Sequence, residues 1–122
     1  MKIVLTTDGI FSSSRLKEKI IQSIQGKNEK IQIDTWSYTK SSDNYDIIYH
    51  NASQYLEDPN KNVIFRVEIN GDNLLFSCAW WANNPQPDNT MFCIHVGRLT
   101  EMLLTYFSQD FSKFMINDYK TV

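Results

Sequence analysis

The chain carries only two cysteines and two histidines, no CxxC pair, no run of lysines and arginines, and no long apolar stretch. Each shortage excludes something. Cys78 and Cys93 have neither the spacing nor the histidine partners of a zinc site, and in a reducing compartment they are expected to remain thiols. His50 and His95 stand far apart, with no carboxylate or thiol at a familiar ligand spacing, so neither a metal nor a cofactor is expected. Without a basic run there is no arm for nucleic acid. In MKIVLTTDGI, Lys2 precedes only three strongly apolar residues, too few for the core of a signal peptide. No apolar run approaches the ~18 residues of a membrane span. The expectation is a cytoplasmic protein without a membrane partner.

What is present is enough for a folded globule. The 122 residues are 42% hydrophobic and 13% aromatic, which suits one domain over 1–122 with a core of its own. KIVLT (2–6) reads as a buried strand. Ser12, Ser13 or Ser14 can cap a following helix, whose apolar stripe is Leu16, Ile20, Ile21 and Ile24 and whose stop is Gly26. IQIDTWSYT (31–39) alternates, with Ile31, Ile33 and Thr35 on one side and Gln32, Asp34, Trp36 and Tyr38 on the other. KSSDN is a turn and YDIIYH a second strand, while NASQYLEDPN holds one helical turn ended before Pro59. NVIFRVEI (62–69), the turn NGDN, NLLFSCAWWA (73–82) and, after NNPQPDN, TMFCIHV (90–96) read as a three-stranded meander. Leu99, Met102, Leu103, Tyr106 and Phe107, extended by Phe111, Phe114 and Met115, mark an amphipathic helix. The predicted fold is α+β. An antiparallel sheet, built from a 62–96 meander and a 31–50 hairpin, packs against an N-terminal helix of about 13–25 and a C-terminal helix of about 98–116.

Register sharpens this. A two-residue turn at Gly71-Asp72 pairs Ile69 with Leu74, Val67 with Phe76, Phe65 with Cys78 and Val63 with Trp80. The next loop, centred on Gln86, pairs Phe76 with Val96, Cys78 with Ile94 and Trp80 with Phe92. One face is then apolar throughout, and a slip of one residue would mix the faces. On this reading Cys78, Trp80 and Ile94 are core, while Cys93 and Trp81 point the other way, which argues against a disulfide.

The same register aligns Arg66, Ser77 and His95 on the outer face, with Glu68 one step away. A serine on a flat strand lacks the strained turn that exposes a nucleophile, and no G-x-S-x-G elbow is present. A non-enzyme is therefore expected. TTDGIFSSS, between a strand and a helix, resembles in outline the phosphate loop of phosphotransferase-system IIB domains, with Thr6 or Thr7 where that family has its nucleophilic cysteine. The remainder lacks the repeated βα units of that fold, and a serine-capped helix accounts for the stretch.

The remaining feature is charge layout. Residues 1–30 hold six bases and three acids, whereas residues 31–60 hold five acids and one base. Segment 34–58 interleaves Asp34, Asp43, Asp46, Glu57 and Asp58 with Trp36, Tyr38, Tyr45, Tyr49 and Tyr55. Charged edge strands resist aggregation. Tyrosine and tryptophan ringed by carboxylates also suit a face that anchors and steers a basic protein. In size, composition and charge layout the chain resembles small immunity proteins, which protect bacteria from secreted toxins. That resemblance implies a stoichiometric inhibitor of a cognate, basic, nuclease-type toxin. The residues expected to bind it are Asp34, Trp36, Tyr38, Asp43, Tyr45, Asp46, Glu57 and Asp58, with Trp36 as the central anchor. A phage-type inhibitor of host defence, or a small-molecule or phosphate-binding domain using the Ser-rich loop and the surroundings of His95, are the alternatives.

Overall fold

The computed structural model describes residues 1–9 and 11–118. Six strands, β1 (Lys2–Thr6), β2 (Trp36–Lys40), β3 (Asp46–His50), β4 (Ile64–Asn70), β5 (Asn73–Ala79) and β6 (Lys113–Asn117), form one sheet in the order β2-β3-β4-β5-β1-β6. All neighbours are antiparallel. The helices are α1 (Ser13–Ile24), the single turn α2 (Ser53–Leu56) and α3 (Asn89–Phe107). The architecture is α+β, as the periodicity predicts.

Local chemistry explains the parts that match. Ser12 caps α1 by accepting from the Arg15 N–H at 3.2 Å. Gly26, at φ +74°, takes the left-handed position just beyond its end. Gly71, at φ +59°, opens the β4–β5 turn. The ladder pairs Ile69 with Leu74, Val67 with Phe76 and Phe65 with Cys78, the predicted register. Leu16, Ile20 and Ile24 of α1 and Val96, Leu99, Met102, Leu103 and Phe107 of α3 close one core with Ile3, Leu5, Ile48, Phe65, Val67, Leu74 and Phe76. Both long helices therefore cover the same face of the sheet.

Three expectations are corrected. TMFCIHV is not a strand but the start of α3, capped by Asp88, whose side chain accepts from the Met91 N–H at 2.9 Å. A short apolar run fits either period. Here Phe92, His95, Val96, Leu99, Met102 and Leu103 follow the helical one, and all are buried. Ile94 is accordingly 39% exposed and Cys93 exposed, and β5 takes β1 as its neighbour instead. Trp80, beyond the end of β5, is 37% exposed and lies against Phe92. The last helix ends at Phe107 rather than near 116, and β6 pairs with β1, placing Phe114 opposite Leu5 and Ile116 opposite Ile3.

Both cysteines are free thiols. Burial pushes the half-buried Cys78 up to about 12, the N-terminal amine opposing. The Ser-rich loop is occupied by the fold. Thr7 donates its N–H and hydroxyl to the Asp72 carbonyl at 2.8 and 3.1 Å, and Ser13 Oγ donates to the Gly71 carbonyl at 2.7 Å. These groups tie the start of α1 to the β4–β5 turn. An all-antiparallel sheet is also unlike the parallel βα units of the IIB fold.

Gly97 lies exposed within α3, and a Cβ added there meets nothing within 4 Å. Glycine costs a helix interior roughly 0.5–1 kcal/mol relative to alanine. Gly97→Ala is therefore expected to raise the denaturation midpoint by a corresponding amount; a lowered midpoint would contradict the packing described.

Candidate functional site

At the end of the sheet where β2 begins and β3 finishes, a cavity of about 520 Å³ opens between the hairpin, α2 and α3. Thr35, Trp36 and His50 come from the hairpin, Gln54 and Tyr55 from α2, and Arg98, Glu101, Met102, Thr105 and Tyr106 from α3. The α3 residues recur at three to four positions, so one stripe of the helix faces the cavity. Their neighbour His95, one turn back, is fully buried beneath Tyr55.

Aromatic rings build the back wall. His50 meets Trp36 edge-on at 5.5 Å between centroids and Tyr55 edge-on at 5.4 Å, and Tyr55 lies 4.4 Å from His95. The hydrogen bonds assign the tautomers. His50 Nδ1 accepts from the Ala52 N–H at 3.2 Å, so the proton of the neutral ring is on Nε2. His95 Nε2 lies 3.0 Å from the Lys61 carbonyl, which can only accept, so that ring also carries its proton on Nε2. His95 Nδ1 is buried without a partner among the described residues.

Burial holds both histidines below their ordinary pKa. The Arg98 charge adds to this at His50, against Glu101; at His95 the Lys61 hydrogen bond opposes, and the His50 and Arg98 charges add. At Tyr55 burial acts upward but is outweighed by hydrogen bonds with Arg98 and Gln54 and by the Arg98 charge, leaving the phenol below its usual value. Arg98 and Glu101 are both exposed, and neither forms an ion pair among the described residues.

The structure separates the residues expected to bind a partner. Asp34, Glu57 and Asp58 lie at the cavity end: Asp34 precedes Thr35, and the other two follow α2. Asp34 and Glu57 are exposed, while Asp58 caps the turn Pro59–Lys61 and sits 3.9 Å from Lys61. Asp43 and Tyr45 lie at the opposite end of the hairpin, one five-residue strand away, which is roughly 17 Å. There Tyr45 is covered by Arg66, whose guanidinium lies 4.0 Å from the ring centroid.

Asp46 faces inward. It accepts from Lys17 Nζ at 2.7 Å and from the Tyr38 hydroxyl at 2.5 Å. Burial alone would raise it, but these hydrogen bonds and the charges of Lys17 and Lys40 hold it below the usual carboxylate range. Burial first, then the hydrogen bond and charge of Asp46, push Tyr38 up to about 12. The basic α1 and the acidic hairpin thus neutralise each other here.

Trp36 requires a correction: it is 3% exposed and packs against Phe65. The alternation in 31–39 misleads because no single strand spans it. The strand starts only at Trp36, and Ile33 is buried from the preceding loop. His95 likewise leaves the row of Arg66 and Ser77, which do pair across β4 and β5. The sequence reading missed Arg98 and Glu101; their spacing with His95 and Met102 along α3 is the only signal of a shared face.

Among the described residues no group of three or more His, Cys, Asp or Glu could hold a metal, and no helix is long and apolar enough to cross a membrane. No family model, curated protein or solved structure matches the chain.

Proposed function

We propose that the protein is a stoichiometric protein-binding inhibitor of the immunity type, which neutralises a basic, nuclease-type toxin by docking on it. The observation that carries this reading is the position of Asp34, Glu57 and Asp58, three carboxylates on the segments before β2 and after α2, at one end of the sheet. The Asp58–Lys61 contact is long and between half-exposed side chains, so it does little to remove that charge. Carboxylates on such a rim accelerate encounter with a cationic partner, and the attraction falls as salt shortens the screening length toward ~8 Å. Asp46 is assigned a structural role instead, because Lys17 and Tyr38 already occupy its oxygens.

Co-expression with basic toxin domains, beginning with any encoded beside this chain, tests the reading. A one-to-one complex and rescued growth are expected. Reversing charge at Asp34, Glu57 and Asp58 together is expected to weaken binding at least tenfold at low salt, whereas Asp43→Lys, at the other end of the hairpin, leaves it within about twofold. A complex indifferent to the triple reversal, or no complex and no protection, would overturn it.

A further inference from the structure

The ion pairs among the described residues join Lys17 and Lys40 to Asp46, Lys19 to Asp110 and Lys61 to Asp58. Arg98 and Glu101 are not among them. They stand three residues apart on α3, line one cavity, and form no ion pair among the described residues. Arg98 hydrogen-bonds Tyr55 and feels the Glu101 charge, and both charged side chains are exposed on the cavity lining.

A cavity whose lining holds one cation and one anion discriminates by charge arrangement. A simple anion drawn to Arg98 meets Glu101, and a simple cation drawn to Glu101 meets Arg98. A molecule carrying both charges a short distance apart satisfies both. The neutral His50 ring, with its proton on Nε2, brings a further donor to this lining. Tyr106, which is exposed, offers flat apolar surface beside these groups, over a wall built on the buried Trp36 and Tyr55. About 520 Å³ is within the range of small-molecule pockets.

We propose that this cavity binds a small zwitterion, in the simplest case a free α-amino acid, with its carboxylate on Arg98 and the His50 Nε2–H and its ammonium on Glu101. In an α-amino acid the two charged groups are separated by two bonds of about 1.5 Å each. The Cβ atoms of residues three apart on a helix are ≈ 5–6 Å apart, so two flexible side chains can converge on both groups. A guanidinium also suits the carboxylate's paired oxygens. The inference is independent of the toxin-binding reading, which uses Asp34, Glu57 and Asp58.

Titration of the intact protein with leucine and phenylalanine, followed by calorimetry and by the His50 ring resonances, tests it. N-acetyl-leucine, leucinamide, acetate and inorganic phosphate are the comparison probes. A free amino acid is expected to bind and to shift His50, with at least tenfold weaker binding of both blocked forms. Arg98→Gln and Glu101→Gln should each reduce affinity at least tenfold while the amide spectrum shows an intact fold. Equal binding of N-acetyl-leucine, acetate or phosphate would make the cavity an anion site and overturn the proposal. Unchanged affinity in Glu101→Gln, or no response to millimolar leucine or phenylalanine, would overturn it as well.

Discussion

Replacing Trp36 with alanine is expected to cost about 3–5 kcal/mol of stability, the range for removing a large buried aromatic. The indole is 3% exposed, meets Phe65 at 6.0 Å and His50 at 5.5 Å between centroids, and belongs to the main core. It is the first residue of β2, so its loss opens a void where the edge hairpin joins the sheet. Against a total stability of roughly 5–15 kcal/mol for a domain of ordinary size, this leaves a fold near its unfolding threshold. Urea denaturation checks it: a midpoint within about 0.5 kcal/mol of the wild type would mean that the ring is not part of the core. Tyr106→Ala provides the contrast, since that side chain is 44% exposed and surface changes usually stay near ±0.5 kcal/mol. Loss of partner binding in Trp36→Ala would report unfolding, so a docking role has to be tested on the exposed carboxylates.

Legibility in the sequence follows the range of the interactions. The β4–β5 hairpin was readable because NGDN and two alternating strands speak within a dozen residues, and the ladder has the predicted pairs. The α1 stripe of Leu16, Ile20 and Ile24 was readable for the same reason. Thr90–Val96 was not, because whether β5 takes its second neighbour from residues 90–96 or from β1 depends on contacts across most of the chain. The acidic segment was legible as composition, but its division between two ends of a hairpin, and the loss of Asp46 to Lys17, are tertiary facts. The cavity was the least legible feature. It joins His50 and Tyr55 to Arg98 and Glu101 from the far end of the chain, and nothing local announces that these meet.

The buried histidine predicts how stability responds to acid. His95 is fully buried and neutral, with its pKa depressed by burial. An unfolded histidine titrates near 6.5. Between that value and the depressed folded one, the unfolded chain binds more protons than the native chain, so stability rises with pH and is lost progressively as pH falls below about 6.5. One such group gives a slope of up to about 1.4 kcal/mol per pH unit. His50, also depressed, acts in the same direction. Asp46 does not confuse this window: its depressed carboxyl contributes stability that is lost only below the unfolded carboxylate value near 3.9. His95→Gln is the informative variant, because an amide N–H can still serve the Lys61 carbonyl while nothing remains to titrate. Denaturation midpoints between pH 5 and 6.5 are expected to fall with acid in the wild type and to flatten by up to about 1.4 kcal/mol per unit in the variant. An equal slope in both proteins would show that His95 is not held neutral, and would remove the buried, unprotonated Nδ1 from the account of this site.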